Sequence, residues 1–241
     1  RPPSYLVEKV DLHVELSPSQ TRVSATIQFK ANPDYPEKRP DLHLHGRQLE
    51  LLSIKLDGRE LTAGEYQVDS EGLTIPVVPE RFVLETLVEI NPDGNTALEG
   101  LYRASEIFCT QCEAQGFRKI TFYPDRPDVM ARFTTTLVGD LETTPVLLAN
   151  GNLIESGHLD DGRHYARFED PFPKPSYLFA MVAGKLSAID DSFVSMSGRK
   201  VSLQIFVEDR NRYKCEHAML SLKNAMRWDE EVFGLEYDLD E

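Results

Sequence analysis

Apolar and polar residues alternate with a period of two along the first three quarters of the chain. In "EKVDLHVEL" the apolar side is Val10, Leu12, Val14 and Leu16, and in "RVSATIQFKANP" it is Val23, Ala25, Ile27 and Phe29, ending at Pro33. Successive side chains of a strand point to opposite faces, so each stretch predicts a half-buried strand. Shorter runs of the same kind follow in "DLHLHG", "LLSIKLDGREL", "YQVD", "LTIPV", "FVLETLVEINP", "GLYRA", "FTTTLVG", "VLLANGNLIESG", "HYARFED" and "SYLFAMVAGKL". Turn signals such as "LDGRE", "NPDGN" and "LDDGRH" separate them. Many short strands joined by Gly, Asp and Pro turns predict a mainly β fold, a sandwich or saddle of antiparallel sheets.

The period changes near Asp190. After one more strand, "KVSLQIFVE", the chain reads "NRYKCEHAMLSLKNAMRWDEEVFG", in which Met219, Leu222, Met226 and Phe233 recur at roughly helical spacing. Gly234 suits the C-terminal cap of this helix, the only long one expected. "LEYDLDE" reads as the beginning of a further strand. The expected organisation is an all-β domain over 1–188 and the opening of a second domain over 189–241. The chain begins at Arg1 rather than Met and ends in "EYDLDE", and is read as a piece of something longer.

Composition narrows the partners. The 241 residues are long enough to bury a sizeable core, and 41% hydrophobic with 27% charged is ordinary for a globular protein. The balance of 26 basic against 40 acidic residues, a net charge of −14, argues against nucleic acid or an anionic membrane as partner. No apolar run is long enough for a membrane span. Three cysteines cannot build a disulfide framework and suit reduced thiols in a cytoplasmic protein.

Local motifs give little chemistry. Cys109 and Cys112 form a CxxC, but a redox pair of this spacing opens a helix, and here it sits among strand residues. A structural zinc site needs four ligands, and the remaining cysteine, Cys215, is far downstream. Buried, unpaired thiols are therefore favoured over a thiol oxidoreductase. His43 and His45 share one face of a strand and could pair on a metal, yet nothing else converges there, and surface histidines are favoured. The HExxH spacing of a zinc peptidase helix, the G-x-S-x-G of a serine hydrolase and a Gly-rich phosphate loop are all absent. In "PDRPD", Pro124 and Pro127 fix a turn and Asp128 is placed to cap a short helical "VMAR". Glu113, directly after the CxxC, reads from spacing alone as an exposed loop carboxylate, with a ligand-binding role as the alternative.

Three separated blocks change this reading. "FCTQCEAQGFRKITFYPDRPDVMARFTTTL", "DPFPKPSYLFAMVAGKL" and "SLKNAMRWDEEVFGLEYDLD" together resemble, in the same order, the bacterial aminopeptidase N (alanyl aminopeptidase) branch of the zinc gluzincin metallopeptidases. The resemblance implies a saddle-like N-terminal β domain followed by the start, one strand and one helix, of a thermolysin-like catalytic domain. It implies that the Gly-Ala-Met-Glu-Asn motif, HExxH and the zinc ligands lie beyond Glu241, so that no catalytic or metal-binding residue is expected in this chain. By resemblance, zinc polarises the scissile carbonyl and activates water in the whole enzyme, with the HExxH glutamate as base. Glu113, in "QCEA", then corresponds to a glutamate binding the free α-amino group of a peptide, and Gln111 lines the pocket for its first side chain. The implied partners are peptides with a free N-terminus and the remaining domains of the same polypeptide. A stand-alone, non-catalytic β-rich interaction module is the alternative.

Overall fold

The computed structural model describes residues 1–36 and 41–239. Half a period per residue becomes architecture directly. β1 (Tyr5–Glu15) and β2 (Thr21–Ala31) form the first hairpin, followed by β3 (Leu42–His45), β4 (Glu50–Leu56), β5 (Arg59–Glu60), β6 (Gln67–Val68), β7 (Gly72–Ile75) and β8 (Arg81–Ile90). Next come β9 (Gly100–Ala104), β10 (Ile107–Gln111), β11 (Met130–Asp140), β12 (Val146–Ala149), β13 (Asn152–His158), β14 (Arg163–Pro175) and β15 (Met181–Gly184). Last among the described residues come β16 (Ser187–Val194), β17 (Lys200–Val207) and an α-helix, α1 (Cys215–Phe233).

Two compact units divide the molecule, Arg1–Gly184 and Lys185–Glu241. The first holds an eight-stranded sheet in the order β13-β14-β11-β1-β2-β8-β4-β5, a four-stranded sheet β12-β15-β10-β9 and a three-stranded sheet β3-β7-β6. Pairing is antiparallel except between β1 and β11, which run parallel. In β2, Thr21, Val23, Ala25, Ile27 and Phe29 are buried while the residues between them are exposed. Val23, Ala25, Ile27 and Phe29 join Val10, Leu12 and Val14 of β1, Leu42 and Leu44 of β3, and Phe108 and Met181 of the four-stranded sheet in one core. Burial of that apolar surface is the main stabilising term of the unit.

The second unit is a hairpin and a helix. β16 pairs along its whole length with β17, from Ser187 opposite Val207 to Val194 opposite Lys200. The unit begins at Lys185 and holds the whole hairpin. β16 itself escapes the period-two reading because only Phe193 of its residues is buried. Phe193, Val201, Leu203 and Met219 form a small separate core, with Ile205 and Met226 packed against it. α1 ends where expected, at Gly234, whose φ of +66° is the left-handed value glycine adopts readily. Of the expected apolar face, Met219 and Met226 pack inward, whereas Leu222 (38%) and Phe233 (60%) are exposed.

Two further expectations are corrected. "VMAR" is not helical: Val129, Ala131 and Phe133 are buried and Met130 and Arg132 exposed, a period of two that carries the chain into β11. Asp128 therefore caps nothing and instead binds Arg126 through two hydrogen bonds of 2.8 and 2.6 Å. Residues 235–239 form no strand, and the last two residues of "LEYDLDE" lie outside the described residues. Among the described residues, no helix is long and apolar enough to cross a membrane.

Candidate functional site

β9 and β10 form a hairpin in which Gln111 lies opposite Gly100. Beyond Gln111 the chain folds back on itself. Cys112 is buried, and the N–H of Gly116 donates to the Cys112 carbonyl at 2.8 Å. This bond closes a turn on which Glu113, Ala114 and Gln115 are exposed. Two glycines make the fold-back possible. A Cβ on Gly116 would lie 2.2 Å from the Gln111 carbonyl oxygen, and one on Gly100 would lie 2.7 Å from the Lys119 Cβ. Both separations are far inside van der Waals contact with atoms that cannot swing away.

The turn brings Gln111 and Glu113 together. The Gln111 side-chain amide donates from Nε2 to the Glu113 carbonyl at 3.2 Å, and the Glu113–Ala114 peptide is cis. The Glu113 carboxylate accepts no hydrogen bond and makes no ion pair among the described residues. An exposed, unpaired acceptor thus sits beside an amide whose oxygen is an acceptor too.

The base of this turn is buried and tightly held. Phe117 opens a short 3-10 turn, Phe117–Lys119, and its ring meets Tyr123, Phe179 and Phe133 edge-on at 5.0, 5.1 and 5.8 Å between centroids. Such edge-to-face packing adds to the area each ring buries. Next to it, the Arg118 guanidinium binds Asp125 with Nε at 3.0 Å from Oδ2, and its Nη2 donates to the Asp125 carbonyl at 3.1 Å. The backbone N–H of Arg118 also donates to Oδ2, at 3.2 Å. The other carboxylate oxygen, Oδ1, accepts from the Ser176 hydroxyl at 2.6 Å. The Asp125 N–H donates to Nδ1 of His45 at 3.1 Å, while β3 and Tyr123 bridge through paired backbone bonds of 2.9 and 3.0 Å. His45, Arg118 and Asp125 line one side of a cavity of about 530 Å³ that Gln115 also borders.

The titratable groups around the turn are tuned by burial. Burial pushes the Cys109 thiol up, and burial followed by the nearby Asp125 charge pushes Cys112 up to about 12. Both thiols are free and protonated at neutral pH, the opposite of what a redox CxxC requires. His45 is held below its ordinary value by burial and then by the Arg118 charge. It is half-buried, unlike His43, which is exposed and bonds Thr74 Oγ1 at 2.9 Å. The two histidines therefore serve different partners, and His45 departs from the surface role expected of it. Among the described residues, no group of three or more His, Cys, Asp or Glu is placed to hold a metal ion.

Sequence reasoning placed Gln111 and Glu113 at one site but gave no part to Asp125, Arg118, His45 or Ser176. These four converge from segments up to 131 positions apart in the chain (45 to 176), so no local spacing reports them. The one available signal was an acidic residue between prolines amid apolar neighbours, in "FYPDRP".

The peptidase M1 N-terminal domain family matches residues 2–178. The chain is 52% identical over 240 residues to aminopeptidase N of Caulobacter vibrioides and 47% identical over 242 residues to aminopeptidase N of Escherichia coli. All of this chain is covered in both comparisons, and it spans about a quarter (27%) of the length of each relative. Among solved structures, Legionella pneumophila aminopeptidase A in complex with aspartic acid superposes over 100% of the chain and 28% of its own, with a TM-score of 0.95 at 35% identity.

Proposed function

The chain belongs to the peptidase M1 N-terminal domain family, and from that premise we propose that it is the N-terminal part of a zinc-dependent aminopeptidase that releases N-terminal residues from peptides. In this reading Glu113 helps bind the free α-ammonium group of the substrate, and Gln111 lines the pocket for the first side chain. The observation that carries it is the exposed Glu113 carboxylate, without a partner among the described residues, on a turn whose base is buried. An α-ammonium group offers three N–H donors and an ionised carboxylate only accepts, so the two are complementary. Each charge-assisted bond contributes roughly 1.5–3 kcal/mol. Anchoring the amine places the first peptide bond at a fixed distance and disfavours blocked termini. The net charge of −14 draws cationic groups toward the protein.

The reading includes a zinc ion as the Lewis acid. The described residues offer no group that fits such an ion. In this reading its ligands, together with the base, belong to polypeptide outside this chain. Residues 189–241 are read as the opening of the peptidase domain. The exposed Leu220, Trp228 and Val232 of α1 support cover by further polypeptide. Three free cysteines suit a reducing compartment, and the enzyme is assigned to the cytoplasm.

The test is Glu113→Ala in the full-length polypeptide. The expected result is a higher KM and a kcat/KM lowered about tenfold or more for substrates with a free α-amine. An unchanged kcat/KM removes Glu113 from the site.

A further inference from the structure

The Asp125 cluster is a buried polar junction in the first unit to which the amine-binding reading gives no task. Its carboxylate is nearly solvent-free, with 1% of the side chain exposed, yet both oxygens are satisfied from different segments. Oδ2 takes the Arg118 backbone N–H and Nε, and Oδ1 takes the Ser176 hydroxyl from the short turn after β14. The Asp125 N–H reaches the ring of His45 at the end of β3. Three stretches of chain that are remote in sequence are thereby tied to one residue.

What this junction holds is the root of the Glu113 turn. Arg118 lies in the 3-10 turn Phe117–Lys119, whose Lys119 N–H donates to the Gly116 carbonyl at 3.0 Å. Gly116 in turn closes the Glu113 turn through its bond to Cys112. The path from Asp125 to Glu113 therefore runs through three hydrogen-bonded steps joined by single peptide bonds, with no long flexible side chain except the immobilised Arg118. The Glu113 carboxylate has no partner among the described residues, so its placement depends on the backbone beneath it.

We propose that Asp125 is a positioning residue for substrate binding: by clamping Arg118, Ser176 and the end of β3 together, it fixes the Gln111–Gly116 turn and so the place of the Glu113 carboxylate. The inference rests on the amine-binding reading of Glu113 and adds the device that gives that carboxylate a single location. Loosening the clamp spreads the carboxylate over several positions, and the substrate amine then loses binding in the ground state and the transition state alike.

The experiment is a double-mutant cycle in the full-length polypeptide, measured with a chromogenic alanyl substrate on preparations checked for folding by thermal melting. Asp125→Asn and Ser176→Ala are each made alone and combined with Glu113→Ala. Acting through Glu113, both are expected to raise KM more than they lower kcat and to reduce kcat/KM several-fold when Glu113 is present. The same substitutions are expected to change kcat/KM by less than about twofold in the Glu113→Ala background, because the group they position is gone. A merely structural role gives the same loss in both backgrounds, and that result overturns the proposal. Should Asp125→Asn fail to fold, Ser176→Ala, which removes one arm of the clamp, decides the matter by the same criterion. A Glu113→Ala enzyme with unchanged kcat/KM overturns the amine-binding reading, and this inference falls with it; equal losses in both backgrounds overturn this inference alone.

Discussion

Arg118 and Asp125 form a buried ion pair, Nε to Oδ2 at 3.0 Å, with only 8% and 1% of their side chains exposed. An ion pair out of water is stable only when its remaining polar atoms are also satisfied, and here Ser176, the Arg118 N–H and the Asp125 carbonyl complete it. Removing one member leaves the other charged and unsolvated. Arg118→Ala is therefore expected to lower the unfolding free energy by about 3–5 kcal/mol, on the scale of a broken buried pair. Urea unfolding of this chain measures it, and a loss below about 1 kcal/mol would show that water or a rearranged partner takes over the role of Arg118.

How far this was legible in the sequence follows from the range of each interaction. The alternation in "RVSATIQFKA" became β2 with every expected residue inward, because strand burial is written in adjacent positions. The helix and its Gly234 cap were legible for the same reason. β16 was not, since a hairpin strand with one buried residue carries no period. The turn bearing Glu113 was found through resemblance, and its support was not found at all. His45 and Ser176 reach Asp125 from segments 80 and 51 positions away, and Arg118 from seven positions away across a fold-back that is neither α-helix nor strand, so no regular spacing records them.

The cysteines yield a second prediction. Burial raises the Cys109 thiol and pushes Cys112 up to about 12, so neither supplies thiolate at neutral pH. Titration of the native chain with a chromogenic disulfide near neutral pH is expected to leave both unreacted over the time in which a model thiol reacts fully. Both should become reactive in denaturant. Fast reaction of Cys109 and Cys112 in the folded protein would restore the thiol oxidoreductase reading.

A third concerns pH. The His45 ring is half-buried, its Nδ1 accepts the Asp125 N–H, and burial followed by the Arg118 charge holds its pKa below 6.5. The unfolded chain thus binds a proton at pH values where the folded chain does not. The stability contributed by the neutral ring is complete above the unfolded value and is lost as pH falls through the lowered folded value. His45→Asn keeps an acceptor near the same position but does not titrate. Lowering the pH from about 7.5 to about 5.5 is expected to reduce the melting temperature of the wild type more than that of His45→Asn. Equal reductions would mean that the imidazole carries no pH-dependent share of stability.

On the proposed reading this chain holds the peptide and other polypeptide supplies the chemistry. The Glu113 backbone carbonyl accepts from the Gln111 side-chain amide, and among the described residues neither belongs to a group of three or more His, Cys, Asp or Glu placed to hold a metal ion. Holding an amine lowers the entropy cost of reaction and supplies neither a nucleophile nor a Lewis acid for the scissile carbonyl. The purified 241-residue chain is therefore expected to show no hydrolysis of alanyl chromogenic substrates and no stoichiometric zinc by elemental analysis. One equivalent of zinc in a preparation freed of weakly bound metal would place a metal site in this chain and reverse the division of labour proposed here. Turnover without zinc would do the same for the nucleophile. With both results negative, the contribution of these residues reduces to placing the peptide, and the Glu113→Ala effect in the full-length polypeptide then measures that contribution directly.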